Sequence, residues 1–403
     1  MSLDEALQRL VAGAAAHRID RTETVGTFDA LGRVLAAEVR SGLDVPPADN
    51  TSMDGYAMRA ADVPAEGTVL PVSQRIPAGV VGQPLQPGTA ARIFTGAQVP
   101  PGADAVVMQE QCEALDGAVR VNTVPQSGQW IRRRGEDVMH DAVVLTAGTR
   151  LTPQALGLAA SVGAAELTVW RRPRVAVFST GDELVMPGQP LKPGAIYNSN
   201  RFTLRGLLQA AGCEVTDLGI VPDKLEATRD ALKRAADGND LILTSGGVSV
   251  GEEDHLRPAV MAEGTLDLWQ IAMKPGKPLA FGTVRSGQGQ AIFMGLPGNP
   301  VSSFVTFLLA VAPVLRTLQG MDAAGPSAQL LRADFDWPKP DRRREFLRVK
   351  LNADGGLDLF PNQSSGVLTS TVWADGLVDT PAGQSIARGD LVRFLPLDAL
   401  VNR

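Results

Sequence analysis

Cysteine and histidine are scarce in this chain, with two Cys and three His among 403 residues. Cys112 and Cys213 give no disulfide framework, and His17, His140 and His255 lie too far apart for zinc-ligand spacing. A reducing, cytoplasmic compartment is the expectation. A basic excess is missing as well. Lys and Arg number 38 against 44 Asp and Glu, a net charge of -6, which argues against a general nucleic-acid binder. No apolar run reaches the roughly 20 residues that cross a bilayer. The longest, Val301 to Leu315, carries Ser302, Ser303 and Pro313 and is expected to be a buried helix. Asp4, Glu5 and Arg9 set among Leu3, Leu7 and Leu10 read as an amphipathic helix rather than a signal peptide. No internal repeat or low-complexity run occurs. What is there is a globular composition, 44% hydrophobic and 20% charged, long enough for two to four domains. Any anionic substrate of so acidic a chain needs a local basic site.

Patterning divides the chain. Leu3 to Ala15 and Phe28 to Val39 carry helical spacing, the second with Leu31, Val34 and Leu35 on one face. From Val45 to about Val138, Gly and Pro punctuate short apolar runs such as Val69 to Val72 and Ala105 to Met108, as in an all-β module. Arg150 to Leu167 returns to helix before a strand at Leu167 to Trp170. Then V-A-V-F at Val175 to Phe178, a helix near Phe202 to Ala211, a strand at Glu214 to Val221, a helix at Leu225 to Ala236 and a strand at Asp240 to Thr244 alternate. Continuous apolar strands between helices indicate a mostly parallel sheet covered on both faces, with ligands at the carboxyl ends of its strands. After Gly325 the chain is β again, as in Phe346 to Leu351 and Asp390 to Leu395.

Four loops carry chemistry. Leu243-Thr244-Ser245-Gly246-Gly247-Val248-Ser249 leaves a buried strand and runs into Glu252-Glu253-Asp254. Gly246 and Gly247 let backbone approach a ligand, and Ser245 and Ser249 offer hydroxyls. Carboxylates there repel phosphate unless a divalent cation such as Mg²⁺ bridges the two; a plain acidic helix start would look the same. Ser179-Thr180-Gly181-Asp182-Glu183 repeats the hydroxyl-Gly-acid turn, or is a simple N-cap. Lys274-Pro275-Gly276-Lys277-Pro278 holds two lysines in one stiff turn between apolar stretches, which lowers the entropy lost on binding an anion. Pro297-Gly298-Asn299-Pro300 places an N-cap and a first-turn proline ahead of the long apolar helix, a position suited to anions. In the β module, Asp49 to Ala57, polar before Gly55, and Ile93 to Ala97 stand out, although a long loop with Asx turns would look the same. Arg132-Arg133-Arg134 reads as a solvated charge run.

In this order and at these separations, S-M-D-G-Y-A, I-F-T-G-A, F-S-T-G-D-E-L, L-T-S-G-G-V-S-V-G-E-E-D, M-K-P-G-K-P and L-P-G-N-P-V-S resemble the molybdopterin molybdenumtransferase (MoeA) family, whose animal relative is the E domain of gephyrin. The resemblance covers nearly the whole chain. It implies a multidomain α/β plus β protein. The regions would be an elongated helical linker (1–44 and 139–172), an inserted β module (45–138), a MogA-like α/β domain (173–322) and a C-terminal β-barrel (327–403). It implies a homodimer in which the β module of one subunit faces the α/β domain of the other, with molybdopterin adenylyltransferase or molybdopterin synthase as candidate protein partners and neither nucleic acid nor membrane. The implied reaction joins molybdate to adenylylated molybdopterin with Mg²⁺ and releases AMP.

Carried over by motif, the catalytic set is Asp54, Thr95, Glu183, Asp223, Asp254, Lys274 and Lys277. Asp54, Glu183 and Asp254 would hold the metal. Ser179, Thr180, Gly181, Asn198, Ser245, Gly246, Gly247, Ser249, Pro297, Gly298, Asn299 and Pro300 would bind substrate. Lys274, Lys277, Arg348 and Thr369 would take molybdate. Gln270 stands where many members have lysine, so weaker anion attraction is expected there unless Arg342, Arg343 or Arg344 offsets it. The adenylylation step itself is the rival reaction, and a gephyrin-like scaffold the rival from another class.

Overall fold

In the strand Arg174–Thr180, every residue from Val175 to Phe178 is fully buried, yet alternate side chains enter different cores. Val175 and Val177 join a core with Leu241, Leu243 and the helix Pro300–Leu318, whereas Ala176 and Phe178 join Ile242 and the helices Leu225–Ala236 and Leu256–Glu263. The two-residue period of a strand thus divides one apolar run between two faces of a sheet. This computed structural model describes residues 1–247, 255–287, 289–323 and 328–402. The sheet runs in the order Glu214–Val221, Arg174–Thr180, Leu241–Ser245, Gly289–Leu296, Pro278–Ser286, Gly264–Gln270. Its first four strands are parallel. The last two, drawn from the apolar stretches around the lysine turn, are antiparallel.

The helix Pro300–Leu318 is 19 residues long, apolar enough by composition to cross a membrane, and 89% buried inside the protein. It is four residues longer than its apolar run and packs as a core helix. The helix Leu3–Ala15 starts at a capping box of Ser2 and Glu5. It buries Leu3, Ala6, Leu10 and Ala14 in the same core, so its packing is with the α/β domain.

Elsewhere in the linker region, Thr22–Gly26 pairs with Glu166–Trp170 and Val39–Arg40 with Val143–Leu145, around Leu35, Leu151, Ala159 and Val169. The helix expected over Phe28 to Val39 does not form. Only Thr27–Asp29 makes a 3-10 turn, capped by Ala30, and Gly32 follows at φ +72°. Val34 and Leu35 instead bridge to Arg150 and Val169 as extended chain; sheet partners outweigh local spacing. The later helix is shorter than expected, Pro153–Ser161, opened by Thr152 as N-cap and a first-turn proline.

The β module is a six-stranded sheet in the order Ala105–Met108, Gly55–Met58, Ala90–Ile93, Thr68–Ile76, Ala118–Val121, Cys112–Leu115. In the C-terminal domain Arg344–Leu351, Gly376–Thr380, Leu391–Pro396 and Gln329–Arg332 follow one another, and Leu357–Leu359 pairs with the outer side of Arg344–Leu351. A bridge from Ala333 to Leu357 brings the two ends together around Phe335, Leu347, Val349, Val378 and Phe394, closing the barrel. One more strand joins this sheet from the α/β domain. Met273–Lys274 runs parallel to Arg344–Leu351, with Lys274 opposite Glu345.

Candidate active site

Three parallel strands end on one cleft. Arg174–Thr180 leaves through Gly181 to Glu183, Leu241–Ser245 through Gly246 and Gly247, and Gly289–Leu296 through Pro297 to Asn299 into the core helix. The cleft has a volume of about 1080 Å³ and is also lined by the lysine turn and by residues 363–366 of the C-terminal domain. Crowding fixes the loops. Gly246 (φ +91°) donates its N–H to Leu296 O at 3.1 Å, and Gly298 packs against its Cα. Gly276 lies at φ +107°, and an added Cβ would stand 2.5 Å from Thr306 Oγ1 on the core helix. Only glycine adopts that backbone in that space without strain, which is why the two lysines flank it.

Of the expected site residues, Thr180, Glu183, Asn198, Ser245, Gly246, Gly247, Lys274, Lys277, Pro297, Gly298, Asn299 and Pro300 line this cleft. Asn198 caps the helix Ser199–Ala210 by accepting from Arg201 N–H at 3.2 Å. Asn299 holds the N-cap position of the core helix without a side-chain bond, and the Val301 N–H is taken by Ser365 O at 3.0 Å. Ser179 is buried in its strand and, like Gly181, is not among the lining residues. Ser249 and Asp254 lie outside the described residues.

Other expected residues stand apart. Asp54 and Thr95 are on the β module, not at this cleft, and they bond each other. The Thr95 N–H and hydroxyl donate to Asp54 Oδ1 at 2.8 and 2.9 Å, which holds that carboxyl below its ordinary range. Asp223 follows the strand Glu214–Val221 and donates its N–H to Asp182 Oδ1 at 3.2 Å, off the cleft wall. Arg348 is 1% exposed, and burial pushes its pKa down to about 10, so it stays charged at neutral pH. Its guanidinium donates to Ser370 Oγ, Phe346 O and Ser364 O at 3.1, 3.4 and 3.2 Å. It therefore sits behind the cleft and braces Ser364 on its wall. Thr369 is exposed and outside the lining; the hydroxyl that meets Arg348 belongs to its neighbour Ser370. Gln270 ends the edge strand facing Pro278 and does not line the cleft. The basic residue from the Arg342–Arg344 run that does line it is Arg343.

Charge in the cleft is balanced in an unforeseen way. Arg343 forms a two-pronged pair with Asp341 at 2.9 Å on both arms, holding the Asp341 carboxyl well below the usual carboxylate range. Lys274 Nζ lies 3.1 Å from Glu345 Oε1 and 3.4 Å from Asp341 Oδ2. Lys277 is exposed and in none of the ion pairs formed among the described residues. The 363–366 loop and the Asp341–Glu345 pair escaped sequence reading; the polar run Asn362 to Gly366 was the available signal. Glu183 is the one acid among the described lining residues, and the described residues bring no three His, Cys, Asp or Glu together as metal ligands.

Known proteins resemble this chain along its length. Residues 1–163 match the "MoeA N-terminal region (domain I and II)", 176–317 the "Probable molybdopterin binding domain" and 331–397 the "MoeA C-terminal region (domain IV)". A molybdopterin molybdenumtransferase of Haemophilus influenzae is 45% identical over 74% of each chain. One of Nostoc sp. is 38% identical over 93% of this chain and 89% of its own. The crystal structure of the molybdopterin biosynthesis MoeA protein of Pyrococcus horikoshii superposes with a TM-score of 0.82 at 29% identity, covering 98% of this chain and 99% of that one. With its cleft at the strand ends and these relatives spanning its domains, the chain belongs to the MoeA family of molybdopterin molybdenumtransferases.

Proposed function

We propose that this chain transfers molybdate to adenylylated molybdopterin, releasing AMP and forming molybdenum cofactor. The observation that carries the reading is the convergence of Gly-rich strand ends, Glu183 and the stiff lysine turn on one cleft. Both reactants are anions, and at 4 Å two unit charges repel by about 4 kcal/mol at an effective dielectric of about 20. Lys277, in no ion pair among the described residues, offsets that repulsion most. Lys274 and Arg343, partly balanced by Glu345 and Asp341, add to that offset where charge grows on the departing phosphate. Gly246, Gly247 and Gly298 let main chain approach the phosphate closely. Ser364, braced from behind by Arg348, and Ser365, whose carbonyl accepts from Val301 N–H, add polar groups to the lining.

A bound Mg²⁺ would add charge neutralisation between carboxylate and phosphate oxygens. Glu183 alone does not make such a site. Asp254, outside the described residues, and Asp54, on the β module, are the further carboxylates we assign to it. Because Asp54 and Thr95 lie off this cleft, the reading includes a homodimer in which a second copy brings them to it. Two unpaired cysteines fit a cytoplasmic setting.

The test is molybdate-dependent AMP release from adenylylated molybdopterin by Asp54→Ala and Lys277→Ala. Each variant should lose it; turnover retained in both rejects the reading. Pyrophosphate release with formation of adenylylated molybdopterin, from a reaction supplied with ATP and molybdopterin in place of the adenylylated compound, would instead favour the adenylylation step.

A further inference from the structure

Lys274 is held from the neighbouring domain. Its strand hydrogen-bonds into the barrel sheet, with Arg344 N–H donating to Ala272 O at 3.0 Å and Lys274 in register with Glu345. Glu345 is 1% exposed. Its Oε2 accepts from Trp337 Nε1 and from Asp341 N–H, both at 2.9 Å. Its Oε1 has the Lys274 ammonium at 3.1 Å. One carboxylate oxygen is therefore fixed by the barrel and the other faces the cleft lysine. A buried carboxylate without its cation is strongly unfavourable, so the pair ties Lys274 to one place.

We infer that Glu345, supported by Trp337 and Asp341, is a positioning residue for Lys274, so that the C-terminal barrel sets where the cleft lysine meets its anion. The inference rests on the proposed molybdate transfer and deepens it. Glu345 is not among the residues lining the cleft. It acts through the lysine, and misplacing a charge by about 1 Å can cost up to about a hundredfold in rate. Affinity responds differently. Replacing Glu345 by glutamine removes a negative charge near the anion and leaves the lysine's positive one, so molybdate binding should not weaken.

Glu345→Gln preserves the shape and the two accepted bonds while ending the Glu345–Lys274 ion pair, leaving Lys274 only the longer contact to Asp341 at 3.4 Å. Trp337→Phe removes one support and keeps the carboxylate. We expect kcat for AMP release to fall about tenfold or more in E345Q, and less in W337F, while the molybdate Kd does not rise. A purely structural role would lower kcat and weaken binding together, in step with the folded fraction measured by circular dichroism. That outcome, or an unchanged kcat in E345Q, overturns the inference. A second readout does not depend on activity. In protein reductively methylated with ¹³C, the Lys274 resonance, assigned by its absence in Lys274→Arg, should shift in E345Q. If the wild type releases no AMP, the functional reading fails by itself, and an unmoved Lys274 resonance still overturns the role given to Glu345.

Discussion

Arg348 shows how a single residue can serve a site it does not line. Its guanidinium is buried without a carboxylate within ion-pair distance among the described residues, and three oxygens from the 346–370 region share its protons. Burial lowers its pKa to about 10, a direction that reports the desolvation of a charge kept only by hydrogen bonds. Lysine in its place would keep the charge and lose the planar fork. Arg348→Lys should therefore cost about 1–3 kcal/mol of stability, as hydrogen bonds to a charged group do, read as a lower urea midpoint. AMP release should fall as well, because Ser364 loses its brace. An unchanged midpoint would show that the fork carries no energy.

Strands and turns show where sequence reading succeeds and where it stops. The run Val175 to Phe178 announced itself because burial on both faces leaves no polar position. The spacing of Leu31, Val34 and Leu35 gave a false helix because a left-handed glycine and partners more than a hundred residues away decide that segment. The direction of Pro278–Ser286 was not readable, since parallel and antiparallel strands carry the same apolar pattern. Met273–Lys274 is only two residues long, too short to signal that it crosses into another domain's sheet. Glu345, inside R-E-F-L-R-V, gives no sign in the sequence that Trp337 and the Asp341 N–H satisfy its buried carboxylate.

Gly55 belongs to the same scale. A Cβ there would lie 2.0 Å from Val107 O, so at this position the strand Gly55–Met58 lies too close to Ala105–Met108 for a side chain. Gly55→Ala should cost about 1–3 kcal/mol by overpacking and displace Asp54 beside it. Gly26→Ala, with nothing within 4 Å, serves as the neutral control. Equal melting temperatures for the two variants would remove the packing argument.

At the scale of the whole molecule, the proposed reaction requires that the carboxylate of one module and the lysines of another meet. Asp54 and Thr95 bond each other on the β module, while Lys274 and Lys277 line a cleft whose other walls come from the α/β and C-terminal domains. If one chain completed its own site, a protein lacking either half would stay inactive in any mixture. If two copies complete it, each cleft needs only its own lysine and its partner's aspartate. Co-expressing Asp54→Ala chains with Lys277→Ala chains then creates heterodimers with one intact site and one doubly impaired site. Random pairing makes half of the dimers mixed, and one of their two sites works, so activity should return to about a quarter of wild type in a closed two-fold dimer. The two variants expressed separately supply the baseline. Lys277 suits this purpose better than Lys274, because removing Lys274 strands Glu345 as a buried unpaired charge and confounds loss of function with loss of fold. Activity no higher than that baseline would place Asp54 and the lysines in separate functions, or in a single chain whose domains close on each other.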